Sequence, residues 1–299
     1  MPTSARPRRS VLYMPGSKSR ALEKARGLPA DGLILDLEDA VGLAEKETAR
    51  ALVAEAVRRR GFGKREVVVR INGVDTQWGD ADLEMAAFAG PDAILVPKVE
   101  SAETVQKAAA RMATLGAPER TQIWAMMETP LAMLKAPEIA AASPRLACMV
   151  MGTNDLVKEL HAEHTETRTP VVTALGLCVL AARAYNLSIL DGVYNAIQDT
   201  ERLRVSCVQG REMGFDGKTL IHPAQIAVTN EVFGPSQAEL DLARRYVTAF
   251  AEAEAEGRGV AVVDGQLVEN LHVENARRLL AQAEAIAELE AALETEAVQ

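Results

Sequence analysis

Cysteine is scarce in this chain, and the three present, Cys148, Cys178 and Cys207, lie far apart without a CxxC pair. That spacing excludes a disulfide framework and a zinc knuckle, and it points to a reducing compartment. Positive charge is short as well: 33 Lys and Arg face 42 Asp and Glu, for a formal charge of −9. An acidic chain without a basic stripe interleaved with aromatics has no long-range pull on phosphate backbones or anionic lipid, which argues against nucleic acid and membrane partners. No apolar run approaches the roughly 20 residues of a membrane span. The basic start, Met1 to Ser10, leads into a stretch too short for a signal sequence, so the expected location is the cytoplasm. The dinucleotide fingerprint G-x-G-x-x-G, the phosphate loop G-x-x-x-x-G-K-[ST] and the hydrolase elbow G-x-S-x-G are all missing.

What the chain does have is apolar residues in quantity, 48% of 299, which excludes disorder. Eight strand-length apolar runs recur along it, at 10–13, 32–35, 67–70, 93–96, 122–127, 147–151, 188–190 and 218–221. Between them lie stretches rich in Ala, Leu, Glu and Lys with helical spacing, such as 18–26, 45–60, 101–115 and 170–185. Strands alternating with helices must pair in parallel, and strands apolar on both faces are buried inside and out. The expected fold is therefore α/β, a (β/α)8 barrel of the TIM type over residues 1–234, favoured over an open doubly wound sheet by the missing glycine fingerprint.

After the eighth run the pattern changes. Pro235, Ser236 and Glu239 read as the start of a capped helix ending near Gly257. Two apolar runs about Asp264-Gly265 read as a β-hairpin, and a final helix begins near Leu271 with Val273, Ala276, Leu279, Leu280, Ala283 and Ile286 on one stripe. Residues 235–299 are thus expected to form a helix–hairpin–helix extension.

In a barrel, functional groups sit where strands end. The residues following the eight runs are Gly16 and Ser17; Asp36, Glu38 and Asp39; Arg70 and Asn72; Lys98 and Glu100; Glu128; Gly152, Asn154 and Asp155; Asp191 and Asn195; and His222. Glu128 and Asp155 close adjacent strands, and two converging carboxylates suit a hard divalent ion whose other sites are filled by water and substrate oxygens. The same placement suits ion pairs with Lys or Arg, and spacing alone does not choose. Arg70 could stabilise an enolate or clamp a carboxylate, or it could pair with Asp36 or Glu38. Lys98 could form a Schiff base if desolvated, although an ion pair with the strand-two acids is the favoured expectation. His161 and His164 lack the HExxH spacing and read as a solvated stretch, while His222 suits a mouth position or a hydrogen-bonded packing role.

Taken together, several stretches resemble the citrate lyase β-subunit-like family of acyl-CoA lyases, which includes malyl-CoA and citramalyl-CoA lyases. They are Tyr13-Met-Pro-Gly16, Leu35-Asp-Leu-Glu-Asp-Ala-Val41 with Lys46 and Arg50, Val69-Arg-Ile-Asn72, Val96-Pro-Lys98, Met127-Glu-Thr129, Met151-Gly-Thr-Asn-Asp-Leu156, Gly217-Lys-Thr-Leu-Ile-His-Pro223 and Gly265-Gln-Leu-Val268. The resemblance implies retro-Claisen cleavage of a short hydroxyacyl-CoA into a 2-oxo acid and an acyl-CoA. It implies Mg2+, with Mn2+ as an alternative ion, held by Glu128 and Asp155, and Arg70 polarising the thioester enolate. Asp36, Glu38 and Asp39 would orient metal waters and Arg70; Asn72 and the loop of Gly152, Thr153 and Asn154 would bind substrate; and Lys18, Arg20, Lys46 or Arg50 would meet the CoA phosphates. It also implies a homo-oligomer, a trimer or hexamer, in which an acid after the hairpin serves a neighbouring subunit. That acid is usually aspartate in the family, whereas Glu269 stands here. This difference, with Trp124 to Thr129, Asp191 to Asn195 and Val268 to His272, resembles the branch containing malyl-CoA thioesterase, so thioester hydrolysis is the alternative expectation. A lyase subunit acting on a carrier-protein thioester and a Schiff-base aldolase are further alternatives.

Overall fold

The computed structural model describes residues 6–297; the first five residues of the basic start lie outside the described residues. Eight parallel strands form a closed barrel in chain order: β1 (Ser10–Pro15), β2 (Gly32–Asp36), β3 (Glu66–Arg70), β4 (Ala93–Val96), β5 (Gln122–Met127), β6 (Leu146–Met151), β7 (Ser188–Asp191) and β8 (Gly217–Leu220). β8 pairs back onto β1 through Leu12 and Leu220, which closes the sheet. The eight apolar runs of the sequence are these strands, and the helices between them cover the outside as expected.

Period-2 alternation explains why both faces of each run are apolar. Val11, Ile34, Val68, Leu95, Trp124, Met126, Cys148, Val150 and Leu190 fill the barrel interior. Their neighbours Leu12, Leu33, Leu35, Val69, Ile94, Ile123, Met149 and Ile189 point outward into the packing with the helices. The base of the barrel is sealed by charge: Arg8 donates to both oxygens of Glu66 at 2.6 and 2.8 Å and lies over the Trp124 ring. Gly217 is required at the start of β8, because a Cβ there would stand 1.8 Å from the Arg8 carbonyl oxygen.

Arg8–Phe233 forms one compact unit and Gly234–Thr295 another. In the second, Ser236 caps helix Gln237–Ala255 in a capping box with Glu239. An antiparallel hairpin follows, β9 (Ala261–Val263) and β10 (Gln266–Val268). Asp264 and Gly265 both have positive φ, 51° and 79°, as the two central residues of a type I′ turn require. Phe250, Ala253, Ala261, Val263, Val268 and Val273 make its core, and helix Asn270–Ala297 completes it. Among the described residues no helix is long and apolar enough to cross a membrane.

Candidate active site

The inward positions at the strand ends gather the polar residues. Asp36 and Arg70 face each other in register on β2 and β3. Arg70 donates through Nε and Nη2 to the two carboxylate oxygens of Asp36, each at 2.7 Å. Its remaining nitrogen, Nη1, lies 2.8 Å from Glu38 and 3.5 Å from Asp39. Asp36 also accepts the backbone N–H groups of Glu38 and Ala40, and so shapes the turn that carries those acids. Burial opposes the charge on Arg70, but Asp36 and Glu38 outweigh it and push its pKa up. The guanidinium therefore stays charged, its planar fork fixed by a planar partner.

Glu128 directly follows β5, is 2% exposed, and accepts the Lys98 backbone N–H at 2.7 Å. Lys98 has a left-handed φ of 48°, a strained turn for a residue with a Cβ. Gly152 lies against the same carboxylate, where a Cβ would come within 2.4 Å of Glu128 Cβ and 2.6 Å of Oε2. The glycine thus lets the β5 carboxylate settle against the end of β6, beside Asp155 in the first turn of helix Thr153–Glu159. Burial, then the charge of Glu38, pushes the Glu128 carboxyl up to about 8. Burial likewise lifts Glu38 to about 7, against the opposing pull of Arg70. Buried carboxylates pushed up further by neighbouring acids, Glu128 by Glu38 and Asp155 and Glu38 by Asp39 and Asp36, mark a concentration of negative charge. Hard oxygen donors in that state fit a divalent cation, since a dication relieves the repulsion. Among the described residues no three His, Cys, Asp or Glu side chains are grouped to hold a metal. An ion here would rest on two carboxylates, a number that Mg2+ accepts when water and substrate oxygens complete its shell.

Several of the expected site residues are engaged in contacts within the fold. The Lys46 ammonium is buried and donates to Leu37 O, Glu38 O and Asn72 Oδ1 at 2.8, 2.7 and 2.7 Å, so its three donors are used within the fold. Arg50 is tied to Asp82 at 2.6 Å. The Lys46 donors are thus spent inside the fold, Arg50 is held at its Nε, and Lys18 and Arg20 are exposed. Asn72 is buried and donates to Leu37 O and Asp82, so it braces the β3 loop. The Gly152 amide donates to Met127 O at 2.9 Å, leaving later amides of that turn to meet a ligand. Lys98 is exposed and makes no ion pair within the reach of the strand-two acids among the described residues; its amide, not its ammonium, does the local work. His222 caps the turn Pro223–Gln225 by accepting the Ala224 N–H, the packing role. His161 and His164 are exposed.

Two features went unread in the sequence. Tyr13 lies beneath Arg70, its ring 4.8 Å from the guanidinium carbon. Asp191, at a strand end, points outward instead of into the mouth and binds Lys218 and Arg168. Alternation carried that second signal, since Leu190 faces inward and its neighbour must face out.

Residues 9–223, from the start of the barrel through the turn after β8, match the model of the HpcH/HpaI aldolase/citrate lyase family. The chain belongs to this family. Among HpcH/HpaI relatives it is 58% identical over 287 residues to a (3S)-malyl-CoA thioesterase of Cereibacter sphaeroides, covering 96% of this chain and 98% of that one. It is 36% identical to the citrate lyase subunit beta of Escherichia coli, covering 93% and 94% of the two chains. Within the same family, a solved structure of CitE from Mycobacterium tuberculosis in complex with magnesium, acetoacetate and coenzyme A superposes with a TM-score of 0.74 at 31% identity, over 92% of this chain and 97% of that one.

Proposed function

We propose that this protein hydrolyses a short hydroxyacyl-CoA of the malyl-CoA type to the free acid and CoA, with Mg2+ bound at Glu128 and Asp155. The observation that carries this reading is the 58% identity, over nearly the whole of both chains, to a (3S)-malyl-CoA thioesterase. Carbon–carbon cleavage, the family-wide expectation, is the second reading; the 36% identity to a citrate lyase β subunit supports it.

When bound, Mg2+ supplies a hard positive centre for the carboxylate and hydroxyl oxygens of the substrate, and Mn2+ offers the same chemistry. The chain's own groups do the rest. Arg70, held planar by Asp36, faces the thioester carbonyl oxygen as it gains charge. Glu38, with its pKa at about 7, is poised to accept a proton from an attacking water near neutrality, and Asp39 flanks it. The water's oxygen bonds to the acyl carbon, the C–S bond breaks, and the proton passes to the departing sulfur, so malyl-CoA plus water gives malate plus CoA. The amides of Thr153 and Asn154 open the turn that carries Asp155 and would meet the substrate carboxylate. The exposed Lys18 and Arg20 would meet CoA phosphates. Glu269 is exposed at the end of the hairpin, its N–H donating to His272 Nδ1 at 3.0 Å, and would serve a neighbouring copy in a cytoplasmic trimer or hexamer. A Schiff base at Lys98 is disfavoured. Burial lowers its pKa, but Asp155, Glu38 and Glu128 outweigh burial and raise it, so the amine stays protonated and is a poor nucleophile.

Thiol release from (3S)-malyl-CoA should be stoichiometric with substrate, stop with EDTA and return with Mg2+. Full activity in EDTA would refute the metal assignment, and activity only on a carrier-protein thioester would transfer the chain to the lyase-subunit reading.

A further inference from the structure

Part of the Arg70 donor fork is already engaged within the fold. Two of its nitrogens are committed to Asp36 and the third faces Glu38 at 2.8 Å. An oxygen that becomes negative in the reaction would be held better by a second donor beside the guanidinium.

Tyr13 supplies one. It is on β1, inward-facing among the interior residues, with its ring under the Arg70 guanidinium. The charged groups acting on its hydroxyl are Arg70 of β3, Asp36 and Glu38 of β2 and its loop, and Glu128 just after β5. The Tyr13 hydroxyl oxygen is buried and has no hydrogen-bond partner. Burial, reinforced by the neighbouring carboxylates against Arg70, pushes its pKa up, so the hydroxyl remains a proton-bearing donor throughout the neutral range. A phenylalanine would keep the ring and its contact with Arg70 while removing a buried, unpaired polar atom, which destabilises a fold. The oxygen is thus a cost to the empty protein. Trp124 Nε1 is also buried without a partner, but that ring lies under Arg8 at the base of the barrel, remote from the strand ends. Among the described residues the Ser17 hydroxyl, just past β1, is likewise buried without a partner, but it is Tyr13 whose ring lies against the Arg70 guanidinium.

We propose that the Tyr13 hydroxyl is a catalytic hydrogen-bond donor to the thioester carbonyl oxygen, completing with Arg70 a two-donor site for the charge that develops there. This rests on the thioester reading above. The hydroxyl is not an acid or base in the reaction: no proton leaves it, and the bond it makes strengthens as the oxygen becomes anionic.

The test is Tyr13→Phe, with kcat, KM, Mg2+ dependence and thermal midpoint measured on the full chain. Loss of one such donor should lower kcat by about 10²- to 10³-fold with KM and the Mg2+ midpoint changed by less than about twofold. The thermal midpoint without substrate should rise by about 2–4 °C. A packing role would instead lower the midpoint and leave kcat nearly unchanged; either result overturns the proposal. The two readings fail separately. A wild type that turns over no CoA ester removes the thioester reading and this acceptor with it. A fall in midpoint for Tyr13→Phe, or an unchanged kcat in an active wild type, removes the donor alone.

Discussion

Glu128→Gln is expected to lower turnover by about 10³-fold or more, since an ion at this site contributes several kcal/mol to stabilising developing charge. The fold should survive, because the glutamine carbonyl oxygen can still accept the Lys98 N–H that Glu128 Oε1 accepts now. Stability gives the diagnostic contrast. The Glu128 carboxyl, at about 8, and Glu38, at about 7, both titrate above their unfolded values. Such groups contribute stability that is fully present below the unfolded carboxylate pKa and is lost as pH rises through the folded values. In EDTA the wild type should therefore lose thermal stability between about pH 4.5 and pH 8, and added Mg2+ should restore more at pH 8 than at pH 6. In Glu128→Gln the metal-free protein should be the more stable one at pH 8 and should gain little from Mg2+. Asp155→Asn should share the loss of activity and of Mg2+ stabilisation. Thermal scans at two pH values, with and without Mg2+, read all of this. Retained turnover in either variant would refute the assignment.

The largest stability effect is expected at Asp191. It is fully buried, binds Lys218 Nζ at 2.7 Å and contacts Arg168 Nη1 with both oxygens at 2.7 Å. Arg168 in turn reaches Gln209 and the Ser206 carbonyl, so the cluster ties the segment after β6 to helix Thr200–Met213. Gly210 makes room for it, since a Cβ there would stand 2.8 Å from Asp191 Oδ2. Asp191→Asn removes the anion and strands two cations, one of them 1% exposed, a change that typically costs about 3–5 kcal/mol. The thermal midpoint should fall by on the order of 10 °C, and turnover per folded molecule should hold. Burial raises the Asp191 pKa, but Lys218 and Arg168 outweigh it and depress the value. Its contribution is present above the unfolded carboxylate pKa and is lost as pH falls through the folded one, the opposite sense to Glu128. A midpoint within about 2 °C of wild type would mean that the cluster is solvated and holds nothing together.

Much of this was legible in the chain. The strands could be read because a barrel buries both faces, which leaves short apolar runs that end abruptly in polar residues. Asp36, Arg70 and Glu128 could be read because they occupy those ends. Roles that depend on partners far away in sequence could not. Lys46 carries the charge a phosphate would want, yet its donors are consumed by Leu37, Glu38 and Asn72, a fact set by how the β2 loop folds over. Asn72 was drawn into the same brace by Asp82, ten residues on. Gly152 has the composition of an anion-binding turn, but its amide is spent on β5. Tyr13 was invisible because a tyrosine in an apolar run looks like core until Arg70 is seen above its ring.

The measurement that tests the central claim most directly gives the purified protein (3S)-malyl-CoA with Mg2+ and follows free thiol and glyoxylate in the same reaction. The account predicts one free CoA and one malate for each substrate consumed, without glyoxylate. Glyoxylate and acetyl-CoA in equal amounts, without free thiol, would contradict it and make this site a carbon–carbon lyase.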